Sequence, residues 1–245
     1  MRYVTMNASS APMSSAGDGR ETVDSRIGWT VDPTLRDRIL LIAPVLIVAT
    51  TFAVFQGAVS LFGLHRGYVT GFLFYWIVWG VGFSLWAVGI DGVRRMLGKG
   101  RPQRGGARLV MPLLIIPPLA GALFFFPSTF PSATAGTVVT FAAIGLVNGT
   151  LEEILWRGVY ATAFPNRAVA GFLLPSAWFG LLQLGALSVY PSDVPGGTVA
   201  VVASAFVLGL IYGFAAWRSG SIRWTIVSHV LMNAFGIGVV IYLAA

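Results

Sequence analysis

Cysteine is absent from this sequence, and charged residues are scarce. Without cysteine the chain can form neither disulfides nor Cys-ligated metal sites, and thiol catalysis is excluded. Only 10% of the 245 residues are charged, whereas a soluble domain usually has about a quarter, and 56% are hydrophobic. This composition excludes an ordinary water-soluble domain and indicates a protein whose solvent is the lipid bilayer.

Polar residues dominate only the first part of the chain. Residues 1–35 are rich in Ser, Gly, Asp and Arg and lack the apolar core of a signal peptide, so we predict a disordered cytoplasmic arm there. The rest of the chain consists mainly of seven hydrophobic runs, which have the length needed to cross about 30 Å of hydrocarbon as helices. The runs are 39–64, 69–90, 109–126, 134–164, 168–187, 197–217 and 222–243.

None of the seven runs alternates polar and apolar residues in the way a strand does. Because a backbone in hydrocarbon must satisfy its own hydrogen bonds, runs without alternation are predicted to be helices rather than barrel strands. The predicted fold class is therefore all-α, a polytopic transmembrane helix bundle of about seven spans. Pro112, Pro117 and Pro118 predict a kink or break in the third run, and Pro175 favours a later start for the fifth.

Positive charge lies almost entirely in alternate loops between the runs. If the N-terminus is cytoplasmic, Arg66 is the one Arg or Lys residue that falls outside, in agreement with the positive-inside rule for short loops. The net charge of +7 therefore reflects membrane topology, and nucleic acid is not a predicted partner. Arginine far outnumbers lysine, and Ala, Gly and Val are abundant, which indicates a GC-rich bacterial gene. We predict an integral protein of the bacterial cytoplasmic membrane with a cytoplasmic N-terminus.

Two adjacent carboxylates, Glu152 and Glu153, are the only acidic residues well inside a hydrophobic run. An ionised side chain near the middle of a membrane helix costs about 2.5 to 3.5 kcal/mol, so the pair indicates a functional site. Arg157 follows Glu153 by four residues and can pair with it on one helix face, which explains Glu153 structurally. Glu152 has no such partner in its own span, which makes it the candidate for chemistry.

Two other runs carry polar residues at matching spacings. His229 and Asn233 are four residues apart in the seventh run, and Phe179 and Gln183 have the same spacing in the fifth. Residues four apart share one face of a helix. A lone buried histidine is more often a packing residue than a catalyst. However, His229 and Gln183 are predicted to lie at a similar depth in the membrane to Glu152, which favours a common site.

These residues carry a resemblance to a known family. Residues 152–157 fit the E-E-x-x-x-R motif, and residues 229–233 fit the H-x-x-x-N motif, of the CAAX-protease and bacteriocin-processing family. The family's second motif, F-x-x-x-H, is only partly present, because Phe179 is retained and Gln183 replaces the histidine. The chain resembles this family over about 100 residues from position 144 onward. The predicted organisation is an arm at 1–35, transmembrane helices at 36–133 and a protease-like transmembrane domain at 134–245.

The resemblance implies an intramembrane endopeptidase that cleaves membrane-associated or lipidated peptides. Glu152 would activate a water molecule, Gln183 would hold that water, and His229 with Asn233 would stabilise the oxyanion. Glutamine can orient a water by hydrogen bonding, but it cannot exchange a proton with it. The residues implied as structural support are Glu153, Arg157 and Phe179.

Zinc is the alternative cofactor to consider, because some members of the family are described as metalloproteases. The chain would offer Glu152, Glu153 and His229 as ligands, but the H-E-x-x-H motif is absent and Arg157 explains Glu153 better. We therefore predict a mechanism without a cofactor.

Two further function classes stay open. A catalytically silent relative would keep the fold and bind membrane peptides or act as a scaffold. A transporter would use the polar residues as an ion site, although the sequence shows neither an internal repeat nor paired broken helices. The predicted partners are the lipid bilayer and a membrane peptide or lipidated protein substrate.

Overall fold

The structure is a computed structural model that describes residues 33–100, 107–129 and 134–237. The predicted arm at 1–35 lies outside these ranges except for its last three residues, and the end of the seventh run at 238–243 lies outside them as well. Within the described ranges every regular element is a helix, which confirms the all-α prediction.

Seven helices follow one another along the described residues, one for each predicted run. Several of them contain wide π-helical turns between α-helical parts, and α2 is kinked at Gly89, whose φ of +64° only glycine adopts readily. The helices are α1 (Pro33–Phe62), α2 (Leu64–Met96), α3 (107–129), α4 (135–163), α5 (Val169–Leu187), α6 (Gly197–Ser219) and α7 (223–237).

The bundle presents large apolar side chains on its outside and buries Glu152, Glu153 and Arg157 in its interior. Helices α1, α2, α5 and α6 are long and apolar enough to cross a membrane, and α3 contains a shorter apolar stretch, Leu109–Phe124. Large hydrophobic side chains such as Leu61, Ile77 and Val199 are exposed, whereas Glu153 and Arg157 are buried. A water-soluble protein shows the reverse arrangement. The predicted transmembrane helix bundle is therefore confirmed.

Helix α4 lies at the centre of the bundle. Its second half, at Glu153–Val159, contacts α2, α5, α6 and α7. Helix α5 packs closely on α6, because a Cβ atom at Gly209 would lie only 2.9 Å from the Cα atom of Ser176. The side chains of four other helices can therefore reach one short segment of α4.

The prolines of α3 do not break it, although the sequence predicted either a kink or a break. The helix continues through Pro112, Pro117 and Pro118 and widens into a π-helical turn at Gly121–Phe125. Pro118 has no N–H to donate to the carbonyl of Leu114 one turn earlier. The Ser228 hydroxyl of α7 donates to that carbonyl instead, at 2.5 Å. A neighbouring helix thus replaces the missing backbone hydrogen bond, which is how proline is tolerated inside membrane helices.

The start of α5 also differs slightly from the sequence-based expectation. Pro175 lies in the first turn of the α-helical part, which begins at Leu174, but the helix extends back to Val169 through a π-helical turn. Proline is favourable there because the first N–H groups of a helix have no partner within it.

The orientation of the bundle stays a prediction, and a reporter fusion tests it. An odd number of spans places the two chain ends on opposite sides of the membrane. With a cytoplasmic N-terminus, a reporter that is active only in the cytoplasm should be silent when it is fused after Ala245 and active when it is fused before Met1. A bright signal from the C-terminal fusion would contradict the seven-span topology.

Candidate active site

The E-E-x-x-x-R segment lies where α4 changes from α-helical to π-helical geometry. The α-helical part ends at Glu152, and the wide turn covers Glu153–Val159, whose side chains are nearly all buried. Wide turns of this kind occur frequently at functional sites. This segment faces the centre of the bundle, where α2, α5, α6 and α7 meet it.

Arg157 and Glu153 form an ion pair inside the bundle. The Arg157 Nη1 atom lies 3.3 Å from Glu153 Oε1, and the two side chains are only 1% and 0% exposed. The guanidinium carbon lies 4.1 Å from the centroid of the Phe179 ring and 5.6 Å from that of Tyr212. These rings stabilise the cation through their electron-rich faces. The structure therefore places Phe179 against Arg157, as structural support would require.

The Arg157 pairing is electrostatic rather than a close hydrogen bond. Neither terminal nitrogen of Arg157 makes a hydrogen bond of good geometry with another described residue. A buried guanidinium with unused donors is costly. The N–H groups of both terminal nitrogens of Arg157 are therefore able to donate hydrogen bonds to a substrate or a water molecule.

His229 lies between the two glutamates. Its Nδ1 atom is 2.9 Å from Glu153 Oε1, and its Nε2 atom is 3.6 Å from Glu152 Oε2. The imidazole stacks on the Tyr212 ring at 5.2 Å and meets the edge of Phe179 at 6.2 Å, so its orientation is fixed by packing. His229 is closer to Glu153 than to Glu152, whereas the sequence paired Glu153 with Arg157 alone.

Gln183 lies at a similar depth in the bundle to Glu153, but its side chain hydrogen-bonds within its own helix. Helices α4 and α5 are antiparallel neighbours, and Phe179 contacts Arg157. One turn further along α5 is Gln183, and one turn back along α4 is Glu153, so these two residues are at similar height. The Gln183 Nε2 atom donates to the carbonyl of Phe179 at 3.4 Å.

Asn233 lies one turn beyond His229, at the start of the π-helical end of α7. Its Nδ2 atom donates to the carbonyl of Gly145 on α4, at 3.5 Å. A Cβ atom at Gly149 would lie 3.4 Å from the same nitrogen, so α7 approaches α4 closely here. The structure brings Asn233 against Gly145 and Gly149 of α4, and its role in stabilising an oxyanion stays a prediction.

Helix α2 contributes side chains that the sequence motifs did not indicate. The Trp156 Nε1 atom donates to the Tyr75 hydroxyl at 2.8 Å, and the Trp76 Nε1 atom donates to Asn148 Oδ1 at 2.8 Å. Tyr75 and Trp76 are adjacent in a run that shows no motif, so the only signal was the presence of hydrogen-bonding aromatic side chains in a membrane span.

The three residues considered as zinc ligands, Glu152, Glu153 and His229, are not arranged as a ligand set in the structure. Among the described residues, no group of three His, Cys, Asp or Glu side chains has the arrangement that a metal ion requires. Glu153 is engaged by Arg157 and by His229 Nδ1, which removes it from the set of free donors. Tetrahedral zinc needs three such donors to converge on one point.

Comparison with known proteins agrees with the motifs. Residues 134–235 match the family model described as Rce1-like, type II CAAX prenyl endopeptidase Rce1-like. No curated protein and no solved structure matches the chain. The matched segment contains all three motifs and each of the seven residues that the sequence indicated for the site. Over residues 134–235, the chain is therefore similar to the Rce1-like family of type II CAAX prenyl endopeptidases.

Proposed function

We propose that this protein is an intramembrane endopeptidase that cleaves membrane-associated or lipidated peptides with water activated by Glu152. The buried cluster of Glu152, Glu153, Arg157 and His229 supports this proposal most strongly. Charged and titratable groups inside a membrane bundle are costly, and they are kept where they do chemistry or carry ions.

The proposed reaction is hydrolysis of a peptide bond. Glu152 accepts a proton from water while the water oxygen forms a bond to the scissile carbonyl carbon, and the carbonyl electrons move to oxygen. His229 and Asn233 donate hydrogen bonds to this oxyanion. The carbon–nitrogen bond then breaks as the carbonyl re-forms, and Glu152 returns its proton to the leaving nitrogen. The products are a carboxylate and an amine.

Each supporting residue has a part in this scheme that its contacts explain. Arg157 neutralises Glu153, and this pair anchors His229 through the 2.9 Å contact at Nδ1. The other ring nitrogen, Nε2, is left facing Glu152 at 3.6 Å, on the side where the water would bind. Phe179 and Tyr212 confine the ring.

The substrate class follows from the setting of the site and from its family. The chain is an integral membrane protein with an apolar outer surface, which favours a substrate that is itself anchored in the bilayer. The Rce1-like family is described as prenyl endopeptidases, which favours a lipid-modified peptide. We infer that the protein lies in the bacterial cytoplasmic membrane, because its hydrophobic runs predict membrane spans and its composition indicates a bacterial gene.

A catalytically silent relative is the second candidate. The Gln183 amide hydrogen-bonds to the carbonyl of Phe179. Unlike the histidine of the family's motif, it has no titratable group that could exchange a proton with the water. Such a protein would bind a membrane peptide at the same site without hydrolysing it.

Purified protein in lipid nanodiscs distinguishes the two candidates. It would be incubated with prenylated and transmembrane peptides, with cleavage followed by mass spectrometry and binding by fluorescence anisotropy. Cleavage at a defined bond supports the endopeptidase, and saturable binding without cleavage supports the silent relative. Neither binding nor cleavage with any peptide would contradict both candidates.

Cleavage is expected to survive removal of metal ions. The proposed mechanism uses only Glu152, His229 and Asn233, so exhaustive chelation followed by dialysis should leave the initial rate unchanged in the same assay. A loss of activity that zinc alone restores would overturn this part of the proposal.

A further inference from the structure

Tyr212 of α6 lies over the face of the His229 imidazole. The two rings are inclined by only 26°, with their centroids 5.2 Å apart, so they stack. The same tyrosine ring faces the Arg157 guanidinium, whose central carbon lies 5.6 Å from the ring centroid. Tyr212 is fully buried and belongs to none of the three motifs. Its ring is therefore a surface that two residues of the candidate site share.

Stacking supplies a restraint that the polar contact of His229 cannot. The contact between His229 Nδ1 and Glu153 Oε1, at 2.9 Å, holds one atom of the imidazole, about which the ring plane can still turn. Phe179 contacts the imidazole with an angle of 88° between the ring planes. Tyr212 is the side chain whose face covers the imidazole. Its position therefore sets the plane of the His229 ring and the direction in which Nε2 points.

Two residues of α7, one on either side of His229 in the chain, hold the Tyr212 hydroxyl. This hydroxyl lies 3.4 Å from Ser228 Oγ and donates to the sulfur of Met232 at 3.7 Å. Ser228 and Met232 are four residues apart, so they share one face of α7, displaced by one position from the face of His229 and Asn233. The tyrosine thus covers His229 from α6, while its hydroxyl is held on α7.

Helix α3 holds Ser228 in turn. The Ser228 hydroxyl has a single hydrogen, which it donates at 2.5 Å to the Leu114 carbonyl, the group that Pro118 leaves without an N–H partner. Leu114 and Val110, one turn apart on α3, belong to the same buried apolar cluster as Tyr212. One turn of α3 therefore lies beside the tyrosine and, through Ser228, also holds its hydroxyl.

We propose that Tyr212 is a positioning residue that sets the plane of the His229 ring, and that the Leu114 carbonyl, through Ser228, holds Tyr212 in place. The inference rests on the proposed function, since it concerns the histidine that would donate to the oxyanion. Leu114 and Pro118 belong to α3, outside the segment at 134–235 that matches the family model. A helix without any of the three motifs thereby completes the geometry of His229.

A fixed ring plane matters because the oxyanion forms only during the reaction. A donor that already points to the position of the oxyanion needs no reorganisation at that moment. Misplacing a group of this kind by about 1 Å can lower the rate by about 10²-fold. We therefore expect Tyr212→Leu to lower kcat by about 10²-fold. Tyr212→Phe keeps the ring but loses the hydroxyl that holds it, and should lower kcat by about tenfold, with KM nearly unchanged in both variants.

NMR spectroscopy of the His229 ring tests the positioning without requiring catalysis. The chain contains two histidines, so His65→Gln leaves His229 as the only source of signals from 13C-labelled histidine. The ring current of an aromatic side chain shifts nuclei above its face upfield, so Tyr212→Leu in this background should move the His229 ring signals downfield. Tyr212→Phe should give an intermediate shift, because its ring is no longer held. Unchanged ring signals in Tyr212→Leu would overturn the proposal.

Tyr160 provides a matched control. It is fully buried and its ring stacks on Trp156 at 6.3 Å, but its hydroxyl makes no hydrogen bond with another described residue. Tyr160→Phe should therefore change neither the His229 signals nor kcat. Equal changes in Tyr160→Phe and Tyr212→Phe would mean that the signals respond to general repacking of the bundle, and the proposal would be rejected.

A double variant separates positioning by Ser228 from its role as a partner of the backbone. Ser228→Ala leaves the Leu114 carbonyl unpaired, so both the thermal midpoint and kcat should fall. Pro118→Ala supplies an N–H that can donate to the same carbonyl, so adding it should restore the midpoint. We expect kcat to stay low, because the Tyr212 hydroxyl still lacks Ser228. Full recovery of kcat in the double variant would show that Ser228 only satisfies the backbone, and would reject its part in the proposal.

The positioning proposal and the endopeptidase proposal fail by different results. If the wild-type protein cleaves no peptide, the endopeptidase proposal fails, and the NMR signals alone decide whether Tyr212 sets the plane of His229. If the wild type cleaves and Tyr212→Leu has the same kcat per folded molecule, the endopeptidase proposal stands and the positioning role of Tyr212 is rejected.

Discussion

Glu152→Gln is expected to reduce cleavage to background while the protein still folds and inserts. Glutamine has nearly the same volume as glutamate, but it carries no charge and cannot accept a proton from water. A positioned proton-transfer group typically contributes about 10² to 10⁴ in rate, and here the same group would also serve the leaving nitrogen. The measurement is the initial rate of peptide cleavage, normalised to the amount of folded protein. Equal rates for wild type and Glu152→Gln would reject Glu152 as the base.

Variants of the neighbouring ion pair serve as the comparison. Glu153→Gln and Arg157→Ala each leave one buried charge without its partner, which typically costs about 3 to 5 kcal/mol. We expect these two variants to accumulate poorly in the membrane, with a lower thermal midpoint, rather than to fold normally and lose only chemistry. The contrast separates the residue that reacts from the residues that hold the site together.

Gln183→His is expected to raise cleavage, because it restores the family's second motif. Gln183 lies one turn beyond Phe179, whose ring contacts Arg157, and the family's motif implies that an imidazole at this position reaches the same water. Glutamine can only orient that water, whereas imidazole can also take up and return a proton near neutral pH, since its unperturbed pKa is about 6.5. The expected gain is about 10² to 10⁴ in rate.

Two controls make this gain interpretable. Gln183→Leu removes the hydrogen-bonding group without adding a titratable one and should show no gain. The double variant Glu152→Gln with Gln183→His should remain inactive, because the base is missing. If Gln183→His inserts stably and cleaves no peptide in the panel, the silent, peptide-binding relative becomes the better description of the protein.

The membrane made most of the fold predictable. A helix that crosses hydrocarbon must be apolar and about 20 residues long, so the seven runs could be read directly from the sequence. Over the residues that the structure describes, each run lies mainly on one helix, as predicted. The three motifs could be placed on α4, α5 and α7 for the same reason, because spacing within a helix decides which residues share a face.

The pairing of groups within the site could not be predicted from the sequence, because it depends on how the helices are rotated against each other. Adjacent residues on an ideal helix point about 100° apart, so Glu152 and Glu153 were expected to face different neighbours. In the structure one imidazole reaches both, at 3.6 Å and 2.9 Å, where α4 becomes π-helical after Glu152. Tyr75 and Trp76 were missed because their partners, Trp156 and Asn148, lie more than 70 positions away in the chain.

The Ser228–Leu114 hydrogen bond also limits where a peptide could enter the bundle laterally from the lipid. It is buried and 2.5 Å long, and it joins α3 to α7 immediately beside His229. Separating these two helices would leave the Leu114 carbonyl without any partner, since Pro118 has no N–H to offer, at a cost of about 1 to 3 kcal/mol in hydrocarbon. Lateral opening between α3 and α7 is therefore disfavoured, and a peptide that enters from the lipid would have to pass between other helices.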